Sequence, residues 1–181
     1  MLRSAAGCAR VHQSNMPEGV TAEKENLVQP ARRRRFGAIV DIENTVIRGG
    51  HLLPRAIGLP LIEAVRTRAE GIPTRVASGR NVLVEYMPVL AGVGWSFTAV
   101  PAVKDAADIA LVEAGYDFVD RGVTDLLVVS GDHAFVELAG SARLHVVAHA
   151  DHLGRRLRLA ATTVTCLPAL RFDCRPATTA A

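Results

Sequence analysis

Two short apolar runs in this sequence end in carboxylates, and this placement suggests chemistry rather than packing. Residues 36–40 lead into Asp41, and residues 126–129 lead through Ser130 into Asp132. Short apolar runs of this kind predict buried strands, and open α/β sheets bind ligands beyond the carboxyl ends of their strands. If the two strands are parallel neighbours, both aspartates emerge at one edge within reach of a shared cation. The alternative is that each aspartate caps the following helix or turn.

A third carboxylate, Asp108, belongs to the start of a predicted helix and borders its apolar stripe, so we expect it to face the same edge. Carboxylate oxygens suit hard cations such as Mg²⁺ or Mn²⁺, and converging carboxylates repel one another unless a cation or proton lies between them. Such a cluster would bind metal, activate water and stabilise displacement at phosphorus. The alternative for Asp108 and its neighbour Asp105 is favourable charge in a first helical turn. We favour that alternative for Asp105 only.

Strands alternate with helices along the chain, which predicts repeated βαβ units. The fold class is therefore α/β, a three-layer α/β/α sandwich with a mainly parallel central sheet. Pro101 directly follows one strand, so we expect that strand near an edge. Strands are predicted at 36–41, 74–78, 95–100, 125–129, 144–148 and 164–167, and helices at 60–70, 79–91, 105–121, 133–139 and around the arginines at 155–158.

The chain has 181 residues and 49% hydrophobic content, which suits one domain with a full core and flexible ends. We assign the domain to 36–167, a disordered basic tail to 1–35 and a flexible tail to 168–181. The N-terminal tail carries seven Lys or Arg against three Glu. Its run Arg32–Arg35 would contact phosphates, or else remain a solvated tail without a partner.

Three dispersed cysteines, Cys8, Cys166 and Cys174, show neither zinc spacing nor a disulfide framework. No apolar h-region or membrane-length apolar stretch is present. We therefore expect a reduced, cytoplasmic protein that does not enter a membrane.

Three sequence blocks resemble the signature blocks of NYN domains, which are PIN-like nucleases that include the LabA-like group. The blocks are the strand end at 41–44, the helix start at 104–111 and the segment at 130–135. They occur in the family's order, and the resemblance covers residues 36–167. It implies a PIN-like fold, which is Rossmann-like in its layers.

The resemblance also implies a metal-dependent ribonuclease that hydrolyses RNA phosphodiesters at a Mg²⁺ or Mn²⁺ site. Its metal ligands and catalytic residues would be Asp41, Asp108 and Asp132. The side chains of Asn44 and Ser130 would position the scissile phosphate or a water.

Two further residues, Arg80 and Lys104, are candidate substrate-binding side chains, since each carries a cation near a predicted element start. The chain departs from the family pattern at Ala134, where the family usually has a second aspartate, and near Ala114, where it has another acid. These departures leave two alternatives, a one-metal enzyme and an inactive RNA-binding or regulatory module. Aromatic residues make up only 4% of the chain, so RNA contacts should be mainly electrostatic. The sequence allows a homo-oligomer without requiring one.

The same residues also resemble the motifs of haloacid-dehalogenase-type phosphatases. In that alternative Asp41 would attack the phosphoryl group, Ser78 and Lys104 would hold it, and Asp132 would bind Mg²⁺. Its weakness is Glu43, where that family usually has an aspartate as general acid, because an added methylene misplaces a proton donor. Asp108 has no role in that scheme.

Overall fold

Six parallel strands form the central sheet of this protein. The computed structural model describes residues 34–169. These residues form the strands β1 (Phe36–Asp41), β2 (Ile47–Arg48), β3 (His51–Leu52), β4 (Thr74–Gly79), β5 (Ser96–Val100), β6 (Asp125–Val129), β7 (Arg143–Ala148) and β8 (Thr163–Cys166). The sheet runs in the order β5-β4-β1-β6-β7-β8 with every neighbouring pair parallel, while β2 and β3 form a separate antiparallel hairpin. The predicted α/β class and the parallel sheet are confirmed, and β5 is an edge strand as predicted.

Helices cover both faces of the sheet. They are α1 (Ile42–Val46), α2 (Arg55–Arg68), α3 (Arg80–Leu90), α4 (Ala106–Asp120), a 3₁₀ helix (His133–Gly140) and α5 (Arg155–Ala160). Because strand side chains alternate between faces, Ala38 and Val40 of β1 pack with α1, α2 and α3. Ile39 packs with α4, the 3₁₀ helix and α5. The sheet is thus the middle of three layers.

The central strand β1 sets the position of the site. It pairs with β4 and β6, with Asp41 opposite Ala77 and Val40 opposite Val129. Residue 130 therefore follows β6 at the same edge at which Asp41 ends β1. This register brings the two predicted acidic strand ends together.

Two local predictions need correction. Helix α2 begins at Arg55, not near Pro60, which lies inside the helix. Pro60 removes one helical hydrogen bond, yet the helix continues because Leu61, Ile62 and Val65 are buried on one side of it. The connection predicted at 45–58 also contains the end of α1 and the β2–β3 hairpin, both too short to produce a periodic pattern.

The predicted tails lie outside the described residues apart from 34–35 and 168–169, so the tail predictions are untested. Cys8 and Cys174 lie outside them too, and Cys166 is a free thiol. Within 34–169, no helix has the length and apolarity needed to cross a membrane.

A buried carboxylate at the amino edge of the sheet joins β6 to β7. Asp125, at the start of β6, accepts hydrogen bonds from Arg143 Nε and Nη2 of β7 at 2.8 and 2.6 Å. His145 Nε2 lies 3.0 Å from the same carboxylate, and Thr124 Oγ1 donates to it at 2.7 Å. The Arg143 guanidinium, above all, holds the pKa of Asp125 well below its ordinary value. Sequence patterns did not indicate this cluster, because its partners meet only in the folded sheet.

Replacing Arg143 with methionine should destabilise the fold by about 3 kcal/mol at pH 7, because it leaves a buried carboxylate without its main cation. The matched change Arg121→Met removes an exposed pair with Asp117 and should cost less than about 0.5 kcal/mol. Urea unfolding of both variants measures the difference. The penalty should shrink below pH 3.8, the ordinary pKa of Asp125, because protonation removes the stabilisation that its depressed pKa provides. Equal losses of unfolding free energy in Arg143→Met and Arg121→Met would contradict the stabilising role of the Arg143–Asp125 pair.

Candidate functional site

A cleft of about 1020 Å³ opens at the carboxyl edge of the sheet. The end of β1, the starts of α3 and α4, and the loops after β5, β6 and β7 form it. The cleft brings together the three predicted carboxylates with cationic and polar side chains, namely Asp41, Asp108, Asp132, Arg80, Lys104 and His152. The convergence of the three aspartates on one edge therefore agrees with the sequence analysis, while their roles in chemistry remain predictions.

Asp41 is the buried member of this group, with only 6% of its surface exposed. Its Oδ1 accepts a hydrogen bond of 3.0 Å from the backbone N–H of Asn44, as the N-cap of α1. Its Oδ2 accepts one of 3.1 Å from Ser130 Oγ. A carboxylate offers about four acceptor positions, so each oxygen keeps capacity for another partner.

Two of the carboxyl groups bind protons more tightly than usual. Burial raises the pKa of Asp41 to about 7, and the charges of Asp108 and Glu43 add to that rise, whereas hydrogen bonds from Asn44 and Ser130 oppose it. Burial also raises the pKa of Asp108 to about 6, together with the charges of Asp132 and Asp105. The cleft thus holds more negative charge than its surroundings stabilise, which favours a proton or a cation there.

The loop after β6 is fixed against its neighbours by short contacts. Asn44 Oδ1 accepts the N–H of Gly131 at 3.0 Å, and Gly131 O accepts the N–H of Gly154 at 2.8 Å. A side chain at Gly131 would lie 2.3 Å from the backbone oxygen of His152, so glycine is needed for this approach. Asp132 receives the N–H of Ala134 at 2.8 Å on Oδ1 and caps the 3₁₀ helix.

Two predicted positioning residues are thus engaged inside the protein. Ser130 is 2% exposed, and its Oγ donates to Asp41 and accepts the N–H of Asp132 at 3.1 Å. Asn44 lines the cleft, but its carbonyl oxygen is used by Gly131. These contacts favour a structural role, in which Ser130 holds the Asp41 carboxylate and Asn44 holds the loop after β6. By contrast, Arg80 and Lys104 are exposed at the cleft, where a ligand can reach them.

Glu43 bridges from α1 to the start of α3. Its Oε1 accepts hydrogen bonds from Ser78 Oγ at 3.0 Å and from the backbone N–H of Gly79. Gly79 is the N-cap residue of α3, and Ser78 is fully buried. Glu43 therefore closes the junction between two elements and places its negative charge at a helix N-terminus, where it is stabilised.

The N-terminus of α4 also faces the cleft. Its cap residue, Asp105, has a left-handed backbone (φ 61°) and no side-chain hydrogen bond to the first turn. Asp105 is the single non-glycine residue with positive φ within 34–169, and aspartate tolerates this conformation better than most residues. The N–H groups at a helix start attract anions, but at α4 the N–H of Ala106 is bonded to the carbonyl oxygen of Val103, and Asp105 and Asp108 place two carboxylates beside it.

Sequence reasoning missed the part played by the loop after β7. His152 lines the cleft, and its Nδ1 lies 3.1 Å from Arg48 Nη1. Because arginine only donates, Nδ1 is the acceptor in this contact. His149 is buried, with Nε2 3.2 Å from the carbonyl oxygen of Thr45. Only the clustering of histidines at 149–152 hinted at these contacts.

The donor chemistry of the cleft fits a hard divalent cation, but it is not a preformed cage. Within residues 34–169, no three His, Cys, Asp or Glu side chains are gathered closely enough to hold a metal ion. Mg²⁺ commonly binds through one or two carboxylates, several waters and a substrate phosphate. Asp41 with Asp108 or Asp132 meets that requirement in donor type, and a cation would relieve the repulsion that raises the two pKa values.

Comparison with known proteins supports the fold alone. A crystal structure of a protein of unknown function, VPA0982 from Vibrio parahaemolyticus, is similar, with a TM-score of 0.55 and 14% sequence identity. The similarity covers 77% of this chain and 96% of that one. Neither a protein-family model nor a curated protein matches the chain.

Asp41→Asn should make the metal-free protein more stable at pH 8, by up to about 4 kcal/mol, the free energy that a pKa shift of this size represents. Between pH 4 and 7 the native state keeps a proton on Asp41 that the unfolded chain has released, so wild-type stability falls as the pH rises. Asparagine has no such proton. Urea unfolding at pH 5 and pH 8 with a chelator should therefore show a larger gain at pH 8. A stability difference between variant and wild type that is the same at pH 5 and pH 8 would contradict the raised pKa of Asp41.

Proposed function

We propose that this protein is a metal-dependent ribonuclease that hydrolyses RNA phosphodiesters at the carboxyl edge of its sheet. The observation that carries the proposal is the convergence of Asp41, Asp108 and Asp132 in one cleft, with raised pKa values for the first two. Carboxylates crowded in this way are stabilised by a hard cation. The resemblance of the three sequence blocks to NYN domains supplies the substrate class.

Each residue has a task in this proposal. Asp41 would hold Mg²⁺ or Mn²⁺ together with Asp108 or Asp132, and a bound ion of this kind activates water and stabilises charge at phosphorus. Ser130 fixes the Asp41 carboxylate and the backbone before Asp132. Asn44 accepts a hydrogen bond from Gly131 and so fixes the loop that carries Ser130 and Asp132.

The phosphate backbone would be attracted by two exposed cations that line the cleft, Arg80 and Lys104. Both side chains line the cleft, so the substrate phosphates would lie between them and the carboxylates. This arrangement separates the metal-binding residues from the substrate-binding ones. It supports a substrate with several phosphates, such as a nucleic acid strand, because the attracting groups are spread along the cleft.

The contacts of Ser78 and Glu43 count against the phosphatase alternative. That mechanism needs Ser78 to hold the phosphoryl group, but Ser78 is fully buried and donates to Glu43. It also needs residue 43 to act as the general acid, but Glu43 Oε1 already accepts two hydrogen bonds. The nuclease proposal gives Asp108 a role that the phosphatase scheme lacks.

Single-stranded and hairpin RNA should be cut by the full chain in the presence of Mn²⁺ and remain intact with a chelator. Asp41→Asn and Asp108→Asn should each lower the rate about 100-fold or more, because each removes several kcal/mol of charge stabilisation. Gel analysis of end-labelled RNA measures the rate. Asp120→Asn is the matched control, since Asp120 is exposed at the far end of α4, about 18 Å along the helix from Asp108.

Three outcomes would contradict the nuclease. Equal cleavage by Asp41→Asn, purified in parallel, would indicate a contaminating enzyme. Hydrolysis of a phosphate monoester, with a phosphoryl mimic captured on Asp41, would indicate the phosphatase. Inertness toward every substrate with retained RNA binding would indicate a binding or regulatory module.

Deletion of residues 1–33 should weaken RNA binding if Arg32 and Arg33 contact phosphates. The deletion stops there because the backbone carbonyl of Arg35 accepts hydrogen bonds from Thr124 and Asp125, which align β1 with β6. Each phosphate contact on a single strand contributes roughly 0.7 to the salt slope, so the slope should fall by up to roughly 1.4. Fluorescence polarisation across a salt series measures it. An unchanged affinity and slope would assign binding to the domain alone.

A further inference from the structure

A second concave surface adjoins the cleft. It is a groove of about 640 Å³ between α4 and the 3₁₀ helix. Asp108 and Asp132 line both the cleft and the groove. A molecule that reaches these two carboxylates from the cleft can therefore continue directly into the groove.

The floor of the groove is apolar. Ile109, Val112 and Tyr116 lie three and four residues apart, so they share one side of α4, and Ala134 faces them from the 3₁₀ helix. Ile109 is 59% exposed and Tyr116 is 39% exposed. The Tyr116 hydroxyl lies 3.5 Å from the carbonyl oxygen of Glu137 on the opposite wall, so the side chain reaches across the groove while part of its surface stays exposed.

The rim of the groove accepts hydrogen bonds but repels anions. Glu113 and Glu137 are exposed along it, and the two shared aspartates stand at the end that meets the cleft. Lys104 lies at the same end. Asp105 lines this end as well, so a phosphate would be repelled by five carboxylates here. A neutral, flat group with N–H donors would instead find an aromatic ring to stack on and acceptors at its edge.

We propose that this groove binds a nucleobase next to the scissile phosphate, with guanine the preferred base. The inference rests on the proposed function, and continuity with the cleft through Asp108 and Asp132 supports it. Single-stranded RNA is read by stacking unpaired bases on aromatic side chains and hydrogen-bonding their edges. Guanine presents two adjacent N–H donors, which match the two oxygens of one carboxylate. Uracil presents a single N–H between two carbonyl oxygens that the carboxylates repel.

This inference refines the expectation that RNA contacts are electrostatic. One tyrosine in one groove does not make a stacking platform of the kind that tracks a long strand. It makes a single specificity site beside the cleft, while the phosphates on either side are held by charge.

The test is fluorescence polarisation of the labelled octamers UUGUUGUU and U₈ with the full chain, without divalent cation, so that no cleavage occurs. The wild-type chain should bind UUGUUGUU about tenfold more tightly, which is the scale of one stacked and paired base. Tyr116→Ala should remove the preference by weakening UUGUUGUU, and Tyr116→Phe should retain it because the ring remains. Ile109→Ala should reduce the preference. Val84→Ala, an exposed apolar residue on α3, is the matched control and should change neither affinity.

Two results would overturn the base site alone. The first is equal affinity of the wild-type chain for both octamers, and the second is a preference that survives Tyr116→Ala. If Mn²⁺-dependent cleavage is retained, either result rules out the base site and leaves the nuclease proposal standing. Self-association of the chain that Ile109→Ala abolishes in sedimentation would assign the groove to a second copy. Absence of both RNA binding and cleavage would overturn the proposed function together with the inference.

Discussion

The burial of the Asp41 carboxylate at the end of the central strand is the constraint on which the rest of the site depends. An isolated buried carboxylate is costly, so it must gain hydrogen bonds, a proton or a cation. The chain provides two hydrogen bonds, from the backbone of Asn44 and the hydroxyl of Ser130. Burial, with a smaller contribution from the charges of Asp108 and Glu43, outweighs these bonds and raises the pKa of Asp41 to about 7. The remaining instability makes the cleft receptive to a cation.

The surrounding elements hold the loops around Asp41 in place but supply no cation to its carboxylate within residues 34–169. Gly131 allows the loop after β6 to approach the loop after β7, and Asn44 joins that loop to α1. At the opposite edge, Asp125 shows the contrasting solution for a buried carboxylate. There an arginine, a histidine and a threonine satisfy the charge completely. One sheet thus carries Asp125, paired with an arginine, at its amino edge. At its carboxyl edge, where the ligand is expected, it carries Asp41 and Asp108, which form no salt bridge within residues 34–169.

The sequence predicted the parallel sheet and the placement of Asp41, Asp108 and Asp132 at the edge where all three line one cleft, because apolar runs and the residues that end them are local signals. It did not predict where α2 begins, since Pro60 is a typical first helical residue and its place inside a helix depends on tertiary packing. Nor did it identify the contacts of Ser78 with Glu43, His149 with Thr45 or Arg143 with Asp125. These pairs are distant in sequence, and only the strand order brings them together. The buried positions of Ser130 and His149 follow from the same cause.

The central claim is that the cleft exchanges protons for a divalent cation. Calorimetric titration of the full chain with Mn²⁺ at pH 6.5, in two buffers of different ionisation enthalpy, measures this exchange directly. The account predicts saturable binding that releases about one proton from Asp41 and Asp108, since their raised pKa values leave them partly protonated at this pH. It also predicts that Asp41→Asn lowers the release and weakens binding. Mn²⁺ binding without proton release, or no saturable binding by the wild-type chain, would contradict the account.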